Sequence, residues 1–317
     1  MGIEFEYIGV SAIVGDEGSC KTTAGLSFPK PLFHFDIDVG GFDRAAWRLK
    51  QDDPKIRIYR ADKDEDVSQL DFSKYDVITK PYPKPLQVNK LMGQLTGKTA
   101  SIRTIQQPKK VEGMKELWQS VIADFVLVCQ KKEICTIMFD SATMLWNIDH
   151  NARLQELQEI QEYKWRSDSK TSKIPFDENE YRERLQPIEY GQPNDRMTTL
   201  LQTCRSFRKN LVLTHYPTDE YGVVSDGKGG MVEGKTGKLV IDGFKHTAKL
   251  CDLIIWTRVK ESSVMDSKLK KMVSVKTPVA TITKCGIEGM GLDAVGKEIS
   301  ASFDGIIGLR NMMRGEE

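Results

Sequence analysis

The apolar run Tyr7-Ile8-Gly9-Val10-Ser11-Ala12-Ile13-Val14 leads directly into Gly15-Asp16-Glu17-Gly18-Ser19-Cys20-Lys21-Thr22-Thr23. This junction constrains the fold more than any other stretch. A continuous apolar strand has to be covered on both faces, and the turn after it carries a lysine and two threonines to its carboxyl end. A strand, a glycine-bearing loop and a helix start in this order aim backbone N–H groups and a positive helix end at a polyphosphate. Lys21 would then reach the β- and γ-phosphates, and the Thr22 hydroxyl would hold Mg²⁺. The spacing matches G-x-x-x-x-G-K-[ST] except at Cys20, which stands where the pattern has its second glycine; Gly18 supplies flexibility two residues earlier. An ordinary βα turn is the plain alternative, and it leaves the lysine unexplained. A second Gly-Lys-Thr, Gly97-Lys98-Thr99, has three residues rather than four after Gly93 and no apolar strand before it, so it is set aside.

Further apolar strands are expected at 31–37, 134–139, 210–214, 253–256 and 279–282, with a short helix at 21–27. Strands alternating with helical stretches predict an α/β chain, a mostly parallel sheet with helices on both faces. One domain over 1–317 with insertions is expected. With 46 basic and 45 acidic residues the net charge is +1, which excludes a uniformly basic nucleic-acid coat and leaves only local patches. Six cysteines form no CxxC pair and no zinc-ligand spacing, so a reducing, cytoplasmic setting is expected. No basic leader precedes the first strand, its apolar run is too short to span a bilayer, and no membrane partner is expected.

Three segments break the core rhythm. Segment 79–115 is basic and proline-rich, with Lys80, Lys84, Lys90, Lys98, Arg103, Lys109, Lys110 and Lys115 against Glu112. Segment 149–187 is densely charged and reads as an exposed, partly helical excursion. Segment 216–246 is rich in glycine and lysine and reads as an irregular loop. Asp140 ends the apolar run Ile134-Cys135-Thr136-Ile137-Met138-Phe139, where a carboxylate would orient the metal through water, with Ser141 beside it. Capping of the next helix is the alternative role for Asp140.

These residues together resemble the RecA-type P-loop ATPases, and among them the phage-encoded RecA-like proteins of single-strand annealing and recombination. The resemblance rests on Gly15 to Thr23, on Phe28-Pro29-Lys30-Pro31 through Asp38-Val39-Gly40-Gly41, and on Met138-Phe139-Asp140-Ser141. It continues in Tyr190-Gly191-Gln192-Pro193, in Asn210-Leu211-Val212-Leu213-Thr214-His215 and in Ala280-Thr281-Ile282-Thr283-Lys284. It covers both ends and the middle of the chain, in order, and not the three insertions.

The resemblance implies an ATP- and Mg²⁺-dependent ATPase that binds single-stranded DNA as a ring or filament of identical subunits, in a phage setting within host cytoplasm. It implies that Asp38, or else Asp36, polarises the attacking water, and that His215 senses the γ-phosphate. Lys284 is implied to cross to a neighbouring subunit's phosphate. Segment 216–246 falls where such proteins carry a DNA-contacting loop, here with Lys228, Lys235, Lys238, Lys245 and His246 beside Tyr216, Tyr221 and Phe244. Other classes stay open: a nucleotide-dependent DNA-binding module with little hydrolysis, or a helicase-type motor, for which Lys284 and Arg258 are the available trans cations. A small-molecule kinase is disfavoured, because no compact lid with paired arginines follows the core.

Overall fold

A computed structural model describes residues 6–85, 109–168, 174–177, 180–225, 230–266 and 271–315. Apolar runs bounded by turn residues become strands because each can be covered on both faces. β1 (Val10–Val14), β2 (Leu32–Asp36), β5 (Thr136–Asp140) and β6 (Asn210–His215) are buried at every position. With β3 (Ile58–Arg60), β4 (Val77–Pro81), β9 (Leu253–Asp266), β10 (Lys271–Cys285) and β11 (Glu298–Ser300) they form one sheet in the order β11-β10-β9-β1-β6-β5-β2-β4-β3. Pairing is parallel from β9 to β3 and antiparallel across β9, β10 and β11.

The pleat sends alternate side chains of β1 into two apolar layers. Val10, Ala12 and Val14 join the layer of α3 (Met114–Gln130), α4 (Ala142–Ser167) and α5 (Gly191–Ser206). Ile13 joins the layer of α1 (Lys21–Leu26), α2 (Phe42–Asp52) and the C-terminal helix Phe303–Arg314. The chain is therefore α/β with a mostly parallel mixed sheet and helices on both faces. Among the described residues no helix is long and apolar enough to cross a membrane.

The segments expected to be irregular depart from that expectation. Segment 149–187 is no excursion at its start, because α4 runs unbroken to Ser167 and packs against α3. Gln155 and Gln158 are buried because they satisfy main chain. The Gln155 carbonyl accepts from Met114 N–H (2.9 Å) and Lys115 N–H (3.0 Å) at the start of α3. The Gln158 amide accepts from Val111 N–H (2.7 Å) and donates to the carbonyls of Lys109 and Arg182. A helix face that reads as polar in sequence is thus an interior cap for its neighbour.

Among the described residues of the basic tract 79–115, Lys80, Lys109, Lys110 and Lys115 are paired with acids. Lys80 lies in β4, buried, with its ammonium 2.7 Å from Asp124, to which Tyr82 also donates. Lys109 pairs with Glu183, Lys110 with Glu162 and Lys115 with Glu159. Lys90, Lys98 and Arg103, with the Gly93–Thr99 stretch, lie outside the described residues.

Segment 216–246 is an antiparallel ribbon of β7 (Pro217–Ser225) and β8 (Met231–Ile241) rather than a loop. The short apolar runs expected at 253–256 and 279–282 are the buried feet of a second, longer ribbon in which β9 and β10 continue past the sheet. Its alternation in 258–266 and 271–278 is visible in the sequence but mixes charges with β-branched residues on both faces, which no one-sided burial pattern marks.

Asp149 on α4 is fully buried, with Oδ1 3.1 Å from Arg196 and Oδ2 without a hydrogen-bond partner. Burial pushes its carboxyl up to about 7, against the pull of Arg196. The folded state therefore keeps a proton that the unfolded chain releases above its ordinary carboxylate range. The resulting stability is full below about pH 4 and lost as pH rises through about 7. Asp149→Asn, which resembles the protonated form, is expected to gain on wild type progressively across that window. Denaturant midpoints of both proteins at several pH values check this; a constant difference would refute it.

Candidate functional site

The edge of the sheet where β1 ends collects most of the residues singled out in the sequence. Gly15 N–H donates to the His215 carbonyl (3.2 Å), which pins the loop to the end of β6. Ser19 and Thr257 share a hydroxyl hydrogen bond of 2.9 Å, which pins it to β9. Directly after the second anchor the backbone turns through Cys20, whose φ of 70° is left-handed, and enters α1. That conformation explains why the pattern has a glycine there, since an L side chain at such a φ is strained.

Lys21 is buried, and its ammonium donates to the loop's own carbonyls at Gly15 (2.7 Å) and Asp16 (2.8 Å). Its remaining neighbour is the Tyr216 ring, with Nζ 4.3 Å from the centroid. Burial pulls the Lys21 ammonium below the usual lysine range, partly countered by Asp140 and by Asp16. A buried cation held by carbonyl dipoles and a ring face, with no carboxylate in ion-pair contact among the described residues, is poised for an anion.

Asp140 is the hub on the other side. It stands at the end of β5, two strands from β1, rather than on the immediate neighbour; β6 lies between. Helix α1 crosses that gap, packing over β1, β6 and β5. The crossing is close because Gly25 has no side chain: a Cβ there would strike the Met138 thioether on β5. The Thr22 hydroxyl consequently donates to Asp140 Oδ2 at 2.6 Å. Thr214 donates to Oδ1, and His34 Nε2 lies 3.6 Å from Oδ2. Burial raises the Asp140 carboxyl, but His34, Thr214 and Thr22 more than offset it and hold the group below the ordinary range. Ser141, not Asp140, caps α4 by accepting from Met144 N–H, so the capping alternative for Asp140 fails.

Asp36 and Asp38 both line the same cavity of about 890 Å³, together with Lys21, Thr22, Asp140 and Tyr216. Asp36 is the register partner of Asp140, and burial pushes its carboxyl upward. Asp38 is exposed; its backbone N–H donates to the Asp140 carbonyl (3.0 Å) and its carboxylate accepts from the Tyr216 hydroxyl. Burial, then that bond, pushes the Tyr216 phenol upward.

The donor set suits Mg²⁺: hard oxygens from Thr22 and Asp140, with the remaining positions left to water and phosphate. Gly41 supports this, because a Cβ there would come within 3.2 Å of the Thr22 hydroxyl and 3.9 Å of Asp140 Oδ2. Among the described residues no group of three or more His, Cys, Asp or Glu surrounds a common point.

Other predicted residues fall elsewhere. His215 is buried; its Nδ1 lies 3.0 Å from the Asp242 carbonyl and Nε2 has no hydrogen-bond partner. Burial pushes its pKa down to about 4. The ring thus ties the end of β6 to the residue after β8, closing the base of the first ribbon. Lys284 donates to the carbonyls of Ala248 and Lys249 and lies level with Ala12, behind the loop edge of the sheet. Arg258 pairs with Glu298.

On the first ribbon Lys235 pairs with Asp219 and Lys238 is exposed; Lys245, past the ribbon's end, is exposed, and Lys228 lies outside the described residues. Phe244 is buried and Tyr216 belongs to the cavity, so neither offers a free stacking face as expected; Tyr221 does, at 63% exposure. Sequence reasoning missed His34, whose signal was a lone histidine inside the buried Leu32-Phe33-His34-Phe35-Asp36 strand, and it missed Tyr216 as a cavity residue. No protein-family model matches the chain, and no curated protein matches it.

Left-handed strain at Cys20 amounts to about 1–2 kcal/mol, against roughly 0.5–1 kcal/mol of added chain entropy for glycine. Cys20→Gly is therefore expected to melt no lower than wild type, and Cys20→Val, branched at Cβ, to melt lower. Calorimetric melting of the three proteins checks the order. A Cys20→Gly protein several degrees less stable would show that the thiol holds the loop by contact.

Proposed function

We propose that this chain is a RecA-type P-loop protein that binds Mg²⁺–ATP at Gly15–Thr23 and single-stranded DNA as an oligomer, hydrolysing ATP in strand recombination or annealing. The observation that carries the reading is the buried Lys21 ammonium, held by loop carbonyls across one cavity from the Thr22–Asp140 pair. Binding of a triphosphate would exchange those carbonyl contacts for phosphate oxygens, a stronger charge-assisted set. Thr22, directly, and Asp140, through water, would hold Mg²⁺, which when bound neutralises charge on the β- and γ-phosphates. Asp38, which lines the cavity with Asp36, would orient a water once its bond to Tyr216 opens. His215 supports the end of the sheet on which these groups depend, and Lys284 would act only on a neighbouring subunit.

Support for nucleic-acid binding comes from the two ribbons, which leave the sheet on the loop's edge because Val14 is level with both His215 and Trp256. The first offers Lys238 and Tyr221. The second offers exposed Lys271 and Lys276 beside Glu261, with Arg258 and Lys260 at its base both paired with Glu298, and was not anticipated as a basic surface. A positive track with an aromatic face suits a single strand.

A second reading, a nucleotide-dependent binding module with little hydrolysis, is favoured by the Tyr216–Asp38 bond and by Cys20. Phosphate release measured with and without single-stranded DNA separates the two: stimulation supports hydrolysis, and none at saturating ATP supports the module.

Lys21→Ala is expected to abolish ATP binding, and calorimetric titration showing wild-type affinity would refute the assignment. Tyr216 joins the cavity to β7, so ATP and DNA should be coupled through it. Linkage requires each ligand to raise the other's affinity by the same factor. Titrations of ATP with and without oligothymidylate, at one salt concentration, should show that factor in wild type and a value near one in Tyr216→Ala. Equal coupling in both proteins would assign Tyr216 a purely structural part.

A further inference from the structure

Helix α2 starts beside the Thr22–Asp140 pair at Gly41 and runs outward along the cavity. Phe42, Ala45 and Leu49 face the apolar layer. Arg44, Trp47 and Arg48 stand at i, i+3 and i+4, which places them on one helix face. All three are exposed, Trp47 at 65%, and all three line the same cavity as Lys21. Among the described residues neither guanidinium has an ion pair or hydrogen bond, although Asp43 on the same helix is engaged by Arg60.

An exposed indole leaves a large apolar face in water, and two unpaired guanidiniums beside it repel each other. One ligand chemistry relieves both at once: a flat π-face joined to a phosphate. Arginine suits the phosphate by its fork of donors, and tryptophan suits the base by stacking.

We propose that Arg44, Trp47 and Arg48 form a second subsite that takes one nucleotide unit, its base stacked on Trp47 and its phosphate held by Arg44 and Arg48. At about 1.5 Å per residue these side chains start roughly 5–10 Å along the helix from Gly41. The unit therefore lies next to the terminal phosphate of a nucleotide at the loop. The subsite rests on the proposed nucleotide reading for that position only, and its own residues are independent of the loop. An acidic peptide would satisfy the arginines and leave the indole without a partner. The unit comes either from a free mononucleotide or from a residue of a single strand.

Full-length protein is titrated with dTMP and, separately, with oligothymidylate, each alongside an ADP titration. Trp47→Ala is expected to weaken at least one probe about tenfold, the loss of one stacked base, while Trp47→Phe retains most of the affinity. Arg44→Gln with Arg48→Gln is expected to weaken the same probe and flatten its salt dependence. Weakening of dTMP identifies a mononucleotide site, and weakening of oligothymidylate alone identifies a strand site. Wild-type protein that binds neither probe, or variants that bind both as wild type does, overturn the subsite. Wild type that fails to bind ADP instead refutes the loop reading, and the probe titrations then judge the subsite separately.

Discussion

The Asp140 carboxylate joins elements that are remote in sequence: Thr22 from α1 and Thr214 from β6 both donate to it, and His34 from β2 stands beside it. A buried charge of this kind costs several kcal/mol unless its oxygens are satisfied. The order of β2, β5 and β6 at the loop edge and the close seat of α1 are the conditions that satisfy them. Gly25 and Gly41 are part of the same requirement, because a side chain at either would separate the partners. Lys21 depends on this arrangement in turn, since its position in the first turn of α1 is set by where Thr22 must reach.

A second consequence concerns the ribbons. Residues 217–241 leave the sheet directly after Tyr216, whose ring faces Lys21 and whose hydroxyl reaches Asp38. His215 and Thr143 bind the chain again at Asp242, where the ribbon returns. The start of the ribbon is thereby attached to a cavity residue, Tyr216, and its return is held at the end of β6 and the first turns of α4. An isolated two-stranded ribbon is marginal in water, so attachment at its base is a source of order for it. On the second ribbon Met265 and Met272 are paired across the strands and exposed.

Much of this was legible in the sequence. The buried runs ending at Val14, Ile37, Phe139 and Thr214 predicted the central strands, because an apolar run between turn residues has few other uses. The loop lysine and threonine were legible by spacing, and Asp140 by its place after an apolar strand. Less legible were residues whose environment reverses their usual preference. Gln155 and Gln158 read as solvent-facing and are buried as caps for another segment, and Lys80 reads as a surface charge and is matched by Asp124. Their partners Lys115, Val111 and Asp124 lie 40 or more residues away, and no local pattern encodes such pairs.

By itself, then, the sequence determined the local chemistry: which segments had to be covered, where the glycine-bearing loop with its lysine and threonine stood, and which acid ended which strand. Only tertiary structure decided that Asp140 answers to Thr22 across an intervening strand, that Tyr216 closes over Lys21, and that Arg44, Trp47 and Arg48 open onto the same cavity. The physical reason is the range of the forces involved. Burial and backbone geometry act on neighbours along the chain, whereas the placement of charge depends on strand order, a property of the packed sheet as a whole.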